Sequence, residues 1–483
     1  MEYSRARFGY ASGEAESERS PELLLDGYFD LDNTFANIRT DRHFLVLGNK
    51  GTGKTSLGKH FELRSHNNSS NDSSIHIFLK DVPYKTLKQS ASGDLDDIIK
   101  YRSGWKNYLW FIIFDLLQDD PALKKHPLLR VFSKRISKER ISRGFTLASI
   151  LKWLSKLKLR IPMNGYTSVE ISLDDTSVPE ISWQSIVDNI DGYLHTHPIK
   201  TMKNYYVFID GLDEIVRTKD SRLQTYVALL NEVHSINQTL FRYGITFKFI
   251  LLFRADIYEL LPDANKNKLR IDYGINLIWY KEGRVEESPL VKLAILRGKV
   301  SADIENIFDQ FFPRTIIIGS DEYPTLKHLL SHTRHTPRDF LQLLENLKQY
   351  APRGNARFSG DDIEEAIKYY SINYFLPEIK DELAGLLPAD DIQGIFDLFG
   401  QIQKRSFNFD ELLSIAENND SSIADRLQKI LRVLYEHGAI GMAEFHRRRG
   451  HVTFKFRNSA STFIHTKNIL LHRGLYKALN VQR

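Results

Sequence analysis

Cysteine is absent from all 483 residues. That excludes disulfides, thiolate metal sites and cysteine nucleophiles, and it suits a cytoplasmic protein. Long apolar runs are missing too. Stretches such as Tyr108–Phe114 fall far short of a membrane span, so they read as core and no membrane association is expected. No apolar segment follows the start Met1-Glu2-Tyr3-Ser4-Arg5-Ala6-Arg7, so no secretory leader is expected. The 16 histidines show no paired metal-ligand spacing on a helix, which argues against a structural metal. Nor is there a large excess of one charge. With 66 Lys+Arg against 61 Asp+Glu, the balance does not indicate nucleic acid by itself.

What is present is apolar material for several cores, at 42% hydrophobic and 12% aromatic residues. At this length about two to four domains are expected. The charge is also uneven: between Lys124 and Arg160 stand twelve basic residues and one acid, Glu139.

The densest chemical signal lies between the apolar run Phe44-Leu45-Val46-Leu47 and a helix-spaced segment, Ser56-Leu57-Gly58-Lys59-His60-Phe61. The intervening Gly48-Asn49-Lys50-Gly51-Thr52-Gly53-Lys54-Thr55 is a complete phosphate-binding loop. Its glycines let consecutive backbone N–H groups turn onto phosphates. Lys54 supplies a mobile positive charge, and the Thr55 hydroxyl completes a Mg²⁺ shell. Residues 48–56, ending on Ser56, are therefore expected to bind a nucleoside triphosphate.

Hydrolysis would also need an acid to hold Mg²⁺ and a base to orient water. The buried strand Tyr205–Ile209 leads into Asp210-Gly211-Leu212-Asp213-Glu214. Asp210, at the strand end, is the expected metal ligand with Thr55. Asp213 or Glu214 is the expected base, and the sequence does not choose between them. A second buried strand, residues 247–253, ends on Arg254. There a cation could sense the γ-phosphate or simply pair with Asp256 or Glu259. In Thr336-Pro337-Arg338-Asp339-Phe340 the proline marks a helix start. Arg338 could close onto the triphosphate, or be an ordinary helix-start arginine.

Apolar strands alternating with helices predict an α/β fold with a parallel, helix-covered sheet. Four strands are expected, at 43–47, 75–79, 205–209 and 247–253. Helices are expected across 103–160, with Trp105, Trp110 and Trp153 on apolar faces, and at 182–195 and about 219–240. A short hairpin strand is expected at 166–173, and Ser65–Ser74 reads as a surface loop. Strand signals stop near 285 and helical periodicity runs to Leu383, before a linker-like Leu386-Leu387-Pro388-Ala389-Asp390. Helices near 410–417 and 421–437 precede strands near 442–445 and 452–456, whose tip is His446-Arg447-Arg448-Arg449-Gly450-His451. Helix, helix and basic-tipped hairpin predict a winged-helix domain.

The expected organisation is thus an arm (1–40), a P-loop ATPase domain (41–284) with a basic helical insertion (about 100–165), a helical lid (285–385) and a winged-helix domain (390–483).

These residues resemble known ATPases. Phe208–Glu214 resembles the Walker B segment of NACHT-type STAND ATPases, and Arg254 matches their strand-end sensor arginine. Arg338, in its Pro-Arg-Asp setting, resembles the sensor-2 arginine of AAA+ and origin-recognition ATPases. The whole is similar to poorly characterised bacterial P-loop ATPases found near mobile-element and phage-defence genes. That likeness is carried by Phe8–Glu14, the loop at 48–55, Asn267-Lys268-Leu269-Arg270 and Tyr369-Tyr370-Ser371. The resemblance implies ATP as the nucleotide. It also implies a Mg²⁺-dependent, oligomeric switch of low turnover that acts in anti-phage defence. The basic insertion is extra to a NACHT core. No repeat array or effector domain follows the winged helix, which points to a homo-oligomer or a separately encoded partner.

Two further readings stand beside the switch. One is a DNA-binding ATPase of origin-recognition or transposition type, using the winged helix and basic helices. Against it, Arg447–Arg449 could be a solvated hairpin tip. The other is a non-hydrolysing scaffold, which the complete set of Walker B acids argues against.

Overall fold

The computed structural model describes residues 2–40, 42–66, 71–79, 82–89, 96–139, 141, 145–160, 179–212, 221–419, 423–446 and 449–481. They form two compact units: one of Asn33–Gly48 and Leu57–Asn276, the other of Met1–Asp32, Asn49–Ser56 and Leu277–Arg483.

The first unit is built on a five-stranded sheet. Its strands are β1 (Leu45–Gly48), β2 (Asp72–Phe78), β5 (Asn204–Asp210), β6 (Phe247–Arg254) and β7 (Gly274–Asn276). A small antiparallel pair, β3 (Lys158–Arg160) and β4 (Glu180–Ser182), lies apart from it. The sheet order is β2-β5-β6-β1-β7, and every pairing is parallel. β1 is buried throughout and β6 along all but its last residue, as parallel strands covered on both faces must be. This is an α/β architecture consistent with a P-loop NTPase.

Four of the five strands fall where the apolar runs predict them. β7 is the addition: three residues at an edge, too short for a period-two signal, held by pairing with β1. β2 starts three residues early, inside the serine-rich stretch expected to be loop, because Asp72 pairs with Asn204.

The longer helices of this unit include α1 (Lys54–Ser65), which belongs to it from Leu57 on, α2 (Asp97–Leu117), α3 (Pro127–Glu139), α4 (Leu147–Leu154) and α5 (Ser221–Arg242). α2 is buried on every side from Asn107 to Leu117, and Trp105, Trp110, Phe111 and Phe114 are among its buried residues. The Trp105 indole N–H donates to Thr225 O at 3.0 Å, fixing α2 against α5. Phe132 of α3 stacks on Trp183 at 5.4 Å. Each such ring contributes about 1.5–3 kcal/mol by burial. The insertion is therefore core on one face, while Lys124, Lys125, Arg130, Lys134, Lys138, Lys152, Lys156 and Lys158 stay exposed. The single helix expected over 182–195 is two, Trp183–Asp188 and Ile190–Thr196. At the break, the Asn189 side-chain amide donates to Ser185 O at 2.9 Å. That contact competes with continuing the helix.

In the second unit, Arg297 of α6 (Pro289–Ala302) forms a buried pair with Glu16 at 2.6 Å and donates to Phe8 O. Helix α7 (Pro337–Leu347) carries a Thr336 N-cap. Helix α8 (Gly360–Tyr370) carries a Ser359/Asp362 capping box. A π-turn over Ser371–Phe375 joins α8 to α9 (Leu376–Leu383).

Strand signals stop near 285 in the sequence, yet this stretch contains a hairpin of β8 (Thr315–Ile318) and β9 (Asp321–Pro324). Its two-residue Gly319-Ser320 turn, with Gly319 at φ 68°, is ordinary hairpin chemistry that a helical reading passes over. The linker-like segment is a turn running into α10 (Ala389–Ile402). Beyond it lie α11 (Phe409–Asn418) and α12 (Leu427–Glu436). They accompany an antiparallel sheet of β10 (Ser406–Phe407), β11 (Ile440–His446), β12 (Arg449–Thr453) and β13 (Asn468–Leu471), in the order β10-β13-β11-β12. Two of these strands, β10 and β13, are additions to the expected hairpin.

Candidate functional site

The phosphate loop leaves β1 and enters α1 through two glycines in the left-handed region, Gly51 at φ 81° and Gly53 at φ 91°. Side chains are strained there, so both positions need glycine. The loop is cinched by the Asn49 carbonyl. It accepts from Thr52 N (3.4 Å), Thr52 Oγ1 (2.8 Å) and Lys54 Nζ (3.0 Å). Thr52 and Lys54 are buried. Thr52 O accepts the Trp279 indole N–H at 3.0 Å, and Gly51 O accepts the Arg338 amide at 3.3 Å. Ser56 meets the arm: a Cβ at Gly13 would stand 2.9 Å from Ser56 N. At Gly53 an added Cβ would meet no heavy atom within 4 Å, so this side of the loop is open. Left-handed glycines, a helix-start lysine, the Thr55 hydroxyl and an open face together fit a phosphate group.

Arg338 stands over the same loop. Its Cβ is 3.1 Å from where a Gly51 Cβ would be. Its guanidinium pairs with Glu378 Oε1 at 3.1 Å, and Lys50 Nζ bonds that same oxygen at 2.9 Å. One turn on, Glu382 binds Arg334 at 2.9 Å, with Lys50 at 4.0 Å and His437 Nδ1 at 3.4 Å. Arg334 is bidentate on Asp339, at 2.9 and 3.0 Å, and Tyr374 OH donates to Asp339 at 3.1 Å. Burial alone would raise the Glu382 carboxyl. Arg334, His437 and Lys50 outweigh it and hold the group well below the usual carboxylate range.

Asp210, in the other unit, is buried at the end of β5. Its Oδ1 accepts Gly211 N at 2.7 Å and its Oδ2 lies 3.2 Å from His76 Nε2. Gly211, at φ 80°, lies where a side chain is strained, and a Cβ there would stand a tight 3.0 Å from Leu79 N. His76 reaches Asp210 past Gly58 of α1, where a Cβ would lie 2.5 Å from its ring. Arg254 is in register with Gly48, the first loop residue, across the β1–β6 pairing. It forms a fork with Asp256 at 3.1 and 2.6 Å, while Glu259 pairs with Arg270 at 2.5 Å.

Asp213 and Glu214 lie outside the described residues, as do Arg447 and Arg448. Arg449 opens β12.

The sequence reading missed His76, Trp279, Arg334, Glu378 and Glu382. For the glutamates a signal existed: like charges four apart on one helix destabilise it unless cations face them. Among the described residues, no group of three or more His, Asp or Glu could hold a metal, and no helix is long and apolar enough to cross a membrane.

No family model matches the sequence. The chain is similar to the transposon gamma-delta 80.3 kDa protein of Escherichia coli (strain K12), at 23% identity over 502 residues. That alignment covers 98% of this chain and 67% of that protein. Among solved structures, the crystal structure of Cdc6p from Pyrobaculum aerophilum shares 12% identity with a TM-score of 0.31, covering 98% of this chain and 95% of that one.

Proposed function

We propose that this chain is an ATP-binding and ATP-hydrolysing switch in which the helical region after residue 285 reads the state of the phosphate loop. The observation behind it is the Arg338 amide on Gly51 O, with Lys50 and Arg338 sharing Glu378. Those bonds couple the loop to helices α7 and α9.

In this reading Gly48–Ser56 cradle the triphosphate, with Lys54 on the phosphates. Thr55 and Asp210 are the residues that would hold Mg²⁺, and the ion would supply charge neutralisation on the phosphoryl oxygens. Glu214 or Asp213 orients the attacking water, and Arg254 and Arg338 answer to the γ-phosphate. His76 holds the Asp210 carboxylate in place. Residues 285–385 act as lid and 390–483 as a winged helix. In this reading the protein works in the cytoplasm, as a homo-oligomer or with a separately encoded partner, in anti-phage defence.

Lys54→Ala should abolish ATP binding measured by titration calorimetry, because the loop loses its phosphate-directed cation. Affinity equal to wild type would remove the site assignment.

A second reading, a DNA-binding ATPase, is favoured by the row of exposed cations from Lys124 to Lys158. It is also favoured by the likeness to a protein named for a transposon. ATP turnover measured with and without duplex DNA separates the two readings.

A further inference from the structure

We propose that Glu378 is an autoinhibitory carboxylate that competes with the triphosphate for Lys50 and Arg338. The proposal rests on the nucleotide reading above and adds the residue that regulates it.

The geometry is specific. One oxygen, Glu378 Oε1, receives both Lys50 Nζ at 2.9 Å and Arg338 Nη1 at 3.1 Å. Lys50 belongs to the phosphate loop itself, and Arg338 begins the helix whose amide bonds Gly51 O. The wider cluster is balanced, with Lys50, Arg334 and Arg338 facing Asp339, Glu378 and Glu382. Its cations are not equivalent. Arg334 is 7% exposed and bonded to two carboxylates, so it is committed to the fold. Lys50 and Arg338 are 27% and 25% exposed and can turn toward an incoming anion.

A phosphate group that draws both cations away leaves Glu378 one helical turn from Glu382. That like-charge spacing destabilises the helix. The repulsion falls on α9, directly after the π-turn at Ser371–Phe375, a feature that often marks functional sites. The turn is pinned at Ser371, whose hydroxyl donates to Gly474 O at 2.5 Å and accepts Ala478 N at 3.0 Å. Glu378 thereby links phosphate binding to the C-terminal segment.

The test is a mutant cycle read by fluorescent-ATP titration on the full chain. Glu378→Gln keeps the shape and removes the charge. It should tighten ATP about tenfold, within the range found for residues sharing one ion network. Glu378→Ser, as a second variant, should move in the same direction. The gain should vanish in a Lys50→Ala, Arg338→Ala background, because no cation is left to release. Unchanged or weaker binding by both Glu378 variants, while wild type binds and Lys54→Ala does not, would overturn the latch and leave the nucleotide site standing. A gain that persists without Lys50 and Arg338 would also overturn it. Absence of ATP binding by wild type would instead remove the nucleotide reading.

Discussion

Gly58 shows how one missing methyl can serve a site. It sits on α1 among residues whose spacing suggests an ordinary helix, yet His76 passes through the space its side chain would fill. Gly58→Val should force the imidazole off Asp210 and cost about 1–3 kcal/mol, the usual range for overpacking. Denaturant unfolding would read that loss, and a midpoint equal to wild type would show the helix yields freely. Arg254 poses the opposite question, since its fork with Asp256 is short and local. If its role is the γ-phosphate, Arg254→Ala should slow turnover more than it weakens ADP. Equal losses for ATP and ADP would make the ion pair structural. For the base, Glu214→Gln should keep nucleotide affinity and slow turnover by about 10²-fold or more. Normal turnover there, with a slow Asp213→Asn, assigns the base to Asp213.

At the scale of elements, α7 matters because its first turn reaches the phosphate loop. Thr336 caps it, accepting Asp339 N at 3.2 Å, and Pro337 fills the first helical position where no N–H is needed. Thr336→Ala should cost about 1 kcal/mol of stability. Because that cap also sets the Arg338 amide on Gly51 O, nucleotide affinity should fall with it. Calorimetric melting and ATP titration on the same variant check both parts; lost stability with unchanged affinity would uncouple helix from loop. The basic insertion is a second case. Trp105, Trp110, Phe111, Phe114 and Phe132 turn inward, so the cations on the other face were left to solvent by packing.

For the whole molecule, acid should act early on the unit holding residues 277–483. Burial pushes the His332 imidazole from 6.5 down to about 3, with His328 adding to it. Burial, then Arg457, does the same to His335, also to about 3. Burial likewise lowers His472 well below its usual value. A histidine whose folded pKa is depressed stays neutral while the unfolded chain takes up a proton. Stability is then lost progressively as pH falls below 6.5 toward 3. Glu364 extends the loss. Burial would raise it, but His328 and Lys477 hold it at about 2, below its ordinary 4.5, so its stabilisation disappears between those values. Calorimetric melting from about pH 8 to about pH 4 should show the midpoint falling from near 6.5 downward. A flat midpoint between about pH 6.5 and about pH 5 would contradict it.

The sequence by itself determined the phosphate loop, four of the sheet strands and the helix-covered α/β class. Those features are written in consecutive residues: glycines where left-handed backbone is needed, and unbroken apolar runs where both faces of a strand are covered. It likewise placed Asp210 and Arg254 at strand ends and Arg338 at a helix start. Tertiary structure decided what has no local period. β7 exists because β1 offers an edge, β13 because β11 does, and β10 because β13 does. It also decided the partners. Arg254 pairs two residues away, within reach of sequence reasoning, whereas Asp210 meets His76 from 134 positions earlier. The three cations and three carboxylates beside the phosphate loop are gathered from segments spread between Lys50 and Glu382. Charges attract through space without regard to sequence separation, so only the folded chain could bring that network together.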